Sequence, residues 1–253
     1  MNEAKNPVKS VGTTIRIVHA LRELDGAGVT EVADHLGLTK GTVHNHLATL
    51  EEHECVVRDG DVYRLGLLFF EVGEYVRSRK KIYEIGVPEI DRLAAETGEI
   101  ANILVEEHGH GVYLHRAKGS QALTLDTGIG SRVNLHSTAL GKAILAFLPE
   151  ERVESIVDVQ GLPASTAHTI TDRDDLREEL ATIRERGYAY DMEERAEGIR
   201  CVAAPVTTNG GVAYGAVSIA GPTSRMKGER LESDVPELVE RAANVISINL
   251  KYS

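Results

Sequence analysis

Apolar positions along residues 10–65 recur first at helical and then at strand spacing. Ile17, Val18, Leu21 and Leu24 share one face of a first helix, which Ser10 would cap. Val32, Ala33 and Leu36 predict a second, short helix opening after Thr30, and Gly37 supplies the left-handed residue that ends it. Thr39 is an N-cap for a third helix, whose buried stripe is Val43, Leu47 and Leu50 at i, i+4 and i+7. Two β-prone runs, residues 55–57 and 62–65, then flank Arg58-Asp-Gly-Asp61, a hairpin signal. Three helices, a glycine turn and a hairpin in this order predict a winged helix-turn-helix. The polar face and first turn of the third helix carry Thr39, Lys40, Thr42, His44, Asn45, His46 and Thr49. Such side chains reach base edges and phosphates in a major groove. Arg58 and Arg64 fall on the wing, where phosphates pass. Gly41, in the first turn, suits a close approach.

Residues 67–81 read as one apolar helix with a basic end, Arg77 to Lys81. Cations favour a helix C-terminus, which explains that end, and contact with DNA is the alternative. From residue 83 the pattern changes. An amphipathic helix runs to Gly98, followed by strands at 100–106, 112–117 and 122–126, with a His108-Gly-His-Gly111 turn between the first two. Helices follow at 137–148, from Pro149, and at 172–186, where Leu176, Leu180 and Ile183 form a stripe. Strands at 188–192, 201–207 and 212–220 and a helix at 232–249 complete the chain. The mixture lacks strict alternation, which predicts an α+β sensor domain. The expected organisation is a DNA-binding domain at 1–66, a linker helix at 67–82 and an effector-binding, oligomerising domain at 83–253.

Charge sharpens this picture. The net charge is −11. Residues 1–81 carry 11 Lys+Arg and 12 Asp+Glu, whereas residues 82–253 carry 17 and 27. The acidity therefore sits away from the expected DNA surface, where it would repel phosphate. Nine lysines against 19 arginines, many carboxylates and no tryptophan suggest a salt-adapted cytoplasm. High salt screens phosphate contacts and shifts the burden onto base contacts and shape. No apolar run approaches the length of a membrane span, and the polar N-terminus has no signal-peptide pattern. Cys55 and Cys201, without a Cys-x-x-Cys pair, fit a reducing compartment and predict neither disulfide nor zinc.

Several spaced motifs then carry a family resemblance. They are L-H-S-T-A-L-G-K-A at 135–143, T-I-T-D at 169–172, G-Y-A-Y-D at 187–191, Glu194, G-I-R-C-V-A-A-P at 198–205 and S-I-A-G-P at 218–222. In this order they resemble the IclR family of bacterial and archaeal transcriptional regulators over nearly the whole chain. The resemblance implies a winged helix, a connecting helix and a GAF-like effector domain. It also implies homodimers, often paired as dimers of dimers, on double-stranded operator DNA, with small organic-acid or aromatic-acid effectors. It places the effector pocket at Leu125, Val133, Thr138, Ala139, Asp191, Ile199, Cys201 and Ser218. Where the family often carries a second hydroxyl, this chain has Ala220.

The residue types suit that role. Residues 138–141 at a helix N-terminus offer free N–H groups and a positive dipole end to a carboxylate. Leu125, Val133 and Ile199 would supply an apolar wall, and Cys201 and Ser218 weak polar contacts. Asp191 could accept from an effector hydroxyl or pair with Arg200, and Cys201 could equally be a small buried hydrophobe. A sensor module that binds ligand without operator-specific DNA binding is the alternative reading. His136, Ser137 and Asp191 could be drawn as a triad, but no Gly-x-Ser-x-Gly elbow is present, so no enzyme is expected. His44 with His46, and His108 with His110, are incomplete metal sites. No metal or cofactor is expected.

Overall fold

The computed structural model describes residues 5–124 and 127–252. The chain divides into two compact units between Ser78 and Arg79.

In the first unit, α1 (Lys9–Glu23), α2 (Val29–Leu36) and α3 (Lys40–Glu52) enclose Ile17, Leu21, Val32, Val43, Leu47 and Leu50. The hairpin of β1 (Val56–Asp59) and β2 (Val62–Leu65) closes this core with Val56 and Tyr63. Three local expectations are corrected. Ser10 lies inside α1, whose N-cap is Val8, without a side-chain cap. Thr30 lies in the first turn of α2. Its N-cap is Gly28, and the Glu31 carboxylate reaches back to accept from the Gly28 N–H at 2.9 Å. An acidic residue at the third helical position thus makes one half of a capping box, satisfying the N-cap's own N–H. Leu24, at 38 % exposure, lies past the helix and outside the core. Gly37 does adopt φ +66°, and Thr39 accepts from the Thr42 N–H at 3.2 Å. The hairpin pairs Asp59 with Val62, so its two loop residues are Gly60 and Asp61, with positive φ falling on the first.

The helix expected over 67–81 is two helices. α4 (Leu68–Ser78) ends at Ser78, Lys80 is extended, and α5 (Lys81–Thr97) begins there. The basic run is correspondingly split. Arg77 occupies the last turn of α4 and pairs with Glu74, while Lys80 lies 3.9 Å from Glu107.

The second unit is built on one antiparallel sheet. Among the described residues its strands are β3 (Ile100–Glu107), β4 (His110–Lys118), β5 (Arg132–Asn134), β6 (Ala189–Met192), β7 (Ile199–Thr207) and β8 (Ala213–Pro222), in the order β5-β4-β3-β8-β7-β6. The strand expected at 122–126 is not formed by residues 122–124, and 125–126 lie outside the described residues. β5, which pairs with His110 to Val112, was not foreseen. The other elements among the described residues are α6 (Ala139–Ala146), α7 (Glu150–Gln160), α8 (Arg173–Arg186) and α9 (Val235–Tyr252), with a 3-10 turn at Leu135–Ser137 and a π-helical turn at Arg230–Asp234 leading into α9.

Strand alternation sorts the sheet into two faces. Ala101, Ile103, Val202, Ala204, Val217 and Ile219 pack against Ile82, Ile90, Leu93, Val239 and Ile246 of α5 and α9. The opposite face puts Leu104, Ala203 and Ala216 against Leu140, Ala143 and Ile144 of α6 and Leu176, Leu180 and Ile183 of α8. At one end of this second face the inward residues turn polar. Asn102, Ser218 and Ala203 share one register row, and Ala220, Cys201 and Asp191 the next.

Candidate functional site

Two surfaces carry chemistry, one in each unit. In the first, α3 exposes Lys40, His44, Asn45 and Thr49 opposite its buried stripe, with Thr39 exposed at its cap and Thr42 and His46 half-buried. The Thr42 hydroxyl is engaged with Thr39 Oγ1 at 2.9 Å, and Thr49 donates to the Asn45 carbonyl at 3.0 Å. His46 turns toward α1, its Nδ1 lying 2.9 Å from Thr14 Oγ1. That bond orients the imidazole from behind. On the hairpin, Arg58 donates to the Gly60 carbonyl at 2.8 Å and stacks 5.4 Å from the Tyr63 ring. Arg64 lies 3.8 Å from Asp59. Arg58 also lies 3.6 Å from Asp61, and both exposed pairs contribute little to stability.

In the second unit a cavity of about 50 Å³ opens where the sheet face becomes polar. Thr138, Ala139, Asp191, Ile199, Cys201 and Ser218 line it. Thr138 caps α6, accepting from the Gly141 N–H at 3.0 Å. Helix geometry leaves the Ala139 and Leu140 N–H groups without intrahelical partners at the cavity wall. Gly141 permits this arrangement. A Cβ there would lie 2.1 Å from the Leu135 carbonyl oxygen, so only glycine lets α6 abut the preceding turn.

Asp191 Oδ1 accepts from the backbone N–H groups of Glu194 at 2.7 Å and Arg195 at 3.3 Å. Burial, then the nearby Glu194, pushes its carboxyl up to about 7. Pairing with Arg200 is overturned, because that guanidinium goes to Glu193 at 3.4 Å and the Met226 carbonyl at 3.3 Å. Burial, then Asp191, holds the Cys201 thiol well above its ordinary range, and burial raises the Tyr113 hydroxyl to about 12. Both are neutral and protonated near pH 7. Beside this wall the buried Lys142 meets Glu194 and lies 3.6 Å from Glu179.

Val133 is not brought into this cavity. Its strand pairs it with Gly111, and it borders a neighbouring hollow of about 260 Å³ with His110, Arg132, Ser137 and Arg195. Leu125 lies outside the described residues. Sequence reasoning missed Asn102, Tyr113, Arg116 and Arg195, all of which line the cavity. Asn102 was detectable in principle, as the polar interruption of an I-A-N-I-L-V strand. The drawn triad is not assembled: His136 Nε2 lies 3.1 Å from the Pro163 carbonyl, and Ser137 donates to the Asn134 carbonyl at 3.3 Å. Among the described residues no group of three or more His, Cys, Asp or Glu is placed to hold a metal. No helix among them is long and apolar enough to cross a membrane.

A helix-turn-helix with a wing, joined to an α+β unit that encloses a small polar cavity, defines a ligand-responsive transcription regulator. Residues 10–60 match the IclR helix-turn-helix domain, and residues 74–248 match the family described as bacterial transcriptional regulator IclR C-terminal. The chain is similar to the probable HTH-type transcriptional regulator ArcR of Halobacterium salinarum, 36 % identical over 248 residues, covering 96 % of this chain and 94 % of that one. It resembles the crystal structure of the Thermotoga maritima IclR with a TM-score of 0.80 and 29 % identity, over 97 % of this chain and 100 % of the other. An IclR homolog complexed with 4-hydroxybenzoate, from Microbacterium hydrocarbonoxydans, shares the fold at a TM-score of 0.78 and 21 % identity, over 95 % and 100 %. The chain belongs to the IclR family: it is a transcription regulator with an N-terminal DNA-binding domain and a C-terminal effector-binding domain, not an enzyme.

Proposed function

We propose that the effector is a small organic acid held in the cavity between α6 and the sheet. The carrying observation is that the first turn of α6, where the Ala139 and Leu140 N–H groups have no intrahelical partner, lines a cavity that Ser218 also lines. A helix N-terminus with free N–H groups and its positive dipole end suits a carboxylate. A volume of about 50 Å³ holds roughly four water-sized positions, which favours acids of two to four carbons. The bound 4-hydroxybenzoate of the Microbacterium hydrocarbonoxydans homolog supports an acid, although that ring would need a wider cavity here. Thr138, Ala139, Asp191, Ile199, Cys201 and Ser218 form the contact set, with Val133 and Leu125 retained as its flank.

On the DNA side, Lys40, His44, Asn45 and Thr49 face the major groove from α3, supported by Thr39, Thr42 and His46. Arg58 and Arg64 hold the flanking phosphates. Residues 1–66 bind DNA, residues 67–82 connect, and residues 83–253 sense and oligomerise. α4 has no buried residue and exposes Phe69 at 40 %, Val72 at 53 %, Tyr75 at 60 % and Val76 at 49 % along one side. This face suits pairing with its copy, giving a homodimer that can pair again into a dimer of dimers. Effector binding then biases the spacing of two DNA-binding heads, a population shift. The arginine-rich, acidic composition and the Halobacterium salinarum relative support a salt-adapted cytoplasmic protein.

The test is mobility shift on an operator selected from random duplexes, titrated with two- to four-carbon acids. One or more acids is expected to change retention. Asn45→Ala should weaken specific binding more than non-specific binding, and an equal loss on both would remove its base-reading role.

A further inference from the structure

The hollow bordered by β5 holds about 260 Å³, against about 50 Å³ for the effector cavity. His110, Arg132, Asn134, Ser137, Ser165 and Arg195 line it, and among the described residues Arg195 alone borders both spaces. Four segments bring these side chains together: the start of β4, residues 132–137, the loop before α8 and the turn between β6 and β7. Polar side chains gathered around one space ordinarily find partners. Ser137 does, donating to the Asn134 carbonyl at 3.3 Å. Among the described residues, the side chains of His110, Arg132, Asn134 and Ser165 make no hydrogen bond. Arg132 has one exposed ion pair, 3.7 Å from Glu107. The carboxylates next to the hollow have other cations: Glu107 lies 3.9 Å from Lys80, and Glu106 meets Arg152 at 2.6 Å. Two arginines therefore border a space that no carboxylate lines.

We propose that this hollow is a second ligand site, which binds a phosphoryl group, free or esterified, against Arg132 and Arg195, with His110, Asn134 and Ser165 as neutral hydrogen-bonding partners. The guanidinium fork matches phosphate oxygens in pairs. A phosphoryl group carries a charge of about −1.5 to −2 and three acceptor oxygens, enough to engage two arginines and the neutral donors together. A carboxylate offers one charge and two oxygens. By the measure that gives the effector cavity roughly four water-sized positions, the hollow holds roughly twenty, which leaves room for an ester's carbon chain. The imidazole reports the field there. Burial, then Arg132, lowers the His110 titration; Glu106 pulls it up and His108 lowers it further. His110 is thus neutral near pH 7, able to donate without adding a third charge. An arriving dianion offsets Arg132 and favours the imidazolium.

The test uses the full-length protein at fixed salt. It combines calorimetric titration of glycerol 3-phosphate, inorganic phosphate and glycerol with the NMR titration of His110, assigned through His110→Gln. Both phosphates are expected to saturate at one per chain, and glycerol is expected not to bind. Tighter binding of glycerol 3-phosphate makes the ester the ligand, and any other order makes it the free ion; both support the site. Arg132→Gln, at an exposed position of β5, should weaken both phosphates by about tenfold or more. In the wild type, phosphate should move the His110 titration upward by about one pH unit or more, which phosphate bound elsewhere would not do. The absence of saturable phosphate binding overturns the proposal, as does glycerol binding as tightly as its phosphate. Binding that leaves either the His110 titration or the Arg132→Gln affinity unchanged overturns it too. Both readouts lie outside the effector cavity, so neither depends on which acid that cavity holds.

Discussion

Gly141→Ala puts the packing behind the effector site to a direct test. In an ordinary helix interior, alanine is more favourable than glycine by about 0.5–1 kcal/mol. Here the added methyl would lie 2.1 Å from the Leu135 carbonyl oxygen and 2.4 Å from its Cα. These are backbone atoms, so no side-chain rotation relieves the overlap. Ordinary contact begins near 3.4 Å, so α6 and the 135–137 turn must separate by more than about 1 Å. Forced overpacking of this kind costs about 1–3 kcal/mol. For a unit of this size, each kcal/mol moves the melting temperature by about 2–4 °C, so a fall of about 2–12 °C is expected. The same shift displaces the Ala139 and Leu140 N–H groups, so the stabilisation that an acid confers on the wild type should shrink as well. Scanning calorimetry with and without the acid measures both. A melting temperature equal to or above that of the wild type would refute the reasoning, because it would mean that α6 does not abut the turn as the structure shows.

Gly41→Ala should behave oppositely: nothing lies within 4 Å of the added methyl, so stability rises by up to about 1 kcal/mol in urea titration while operator affinity falls at the groove face. Asp191 gives a pH signature. Its folded carboxyl titrates at about 7 against an ordinary 3.8, so the folded state holds the proton more tightly. The sign is therefore a loss of stability as pH rises from about 4 to 7, flat above that window. Asp191→Asn, which keeps an oxygen for the Glu194 and Arg195 N–H groups, should abolish that slope; chemical denaturation at pH 5 and pH 8 at fixed salt decides. Ala139→Phe should abolish the effector response while leaving operator retention intact in a mobility shift. A surviving response would place the effector elsewhere.

What the chain's order alone determined is local. The stripe of Val43, Leu47 and Leu50, the left-handed turn at Gly37 and the Thr39 cap depend on neighbours within one or two helical turns, so periodicity revealed them. Motif positions likewise located Thr138, Ala139, Asp191, Ile199, Cys201 and Ser218 around one cavity. Where local signals compete, periodicity alone does not mark the element's end. Thr30 resembles a cap, yet Glu31 already satisfies Gly28, and the apolar run after Leu67 conceals the break at Lys80. Only tertiary structure decided the rest. Asn102 and Ser218 are 116 positions apart and become partners through the antiparallel register of β3 and β8. Arg116 enters the cavity because β4 lies beside β3, and Val133 stays out because β5 pairs it with Gly111. Asp191 faces the Glu194 turn rather than Arg200 because that turn folds back over its carboxyl. Periodicity along a chain tells which side of an element is buried. Which distant side chains share that buried space is set by strand register, and so is the polarity of the site they make.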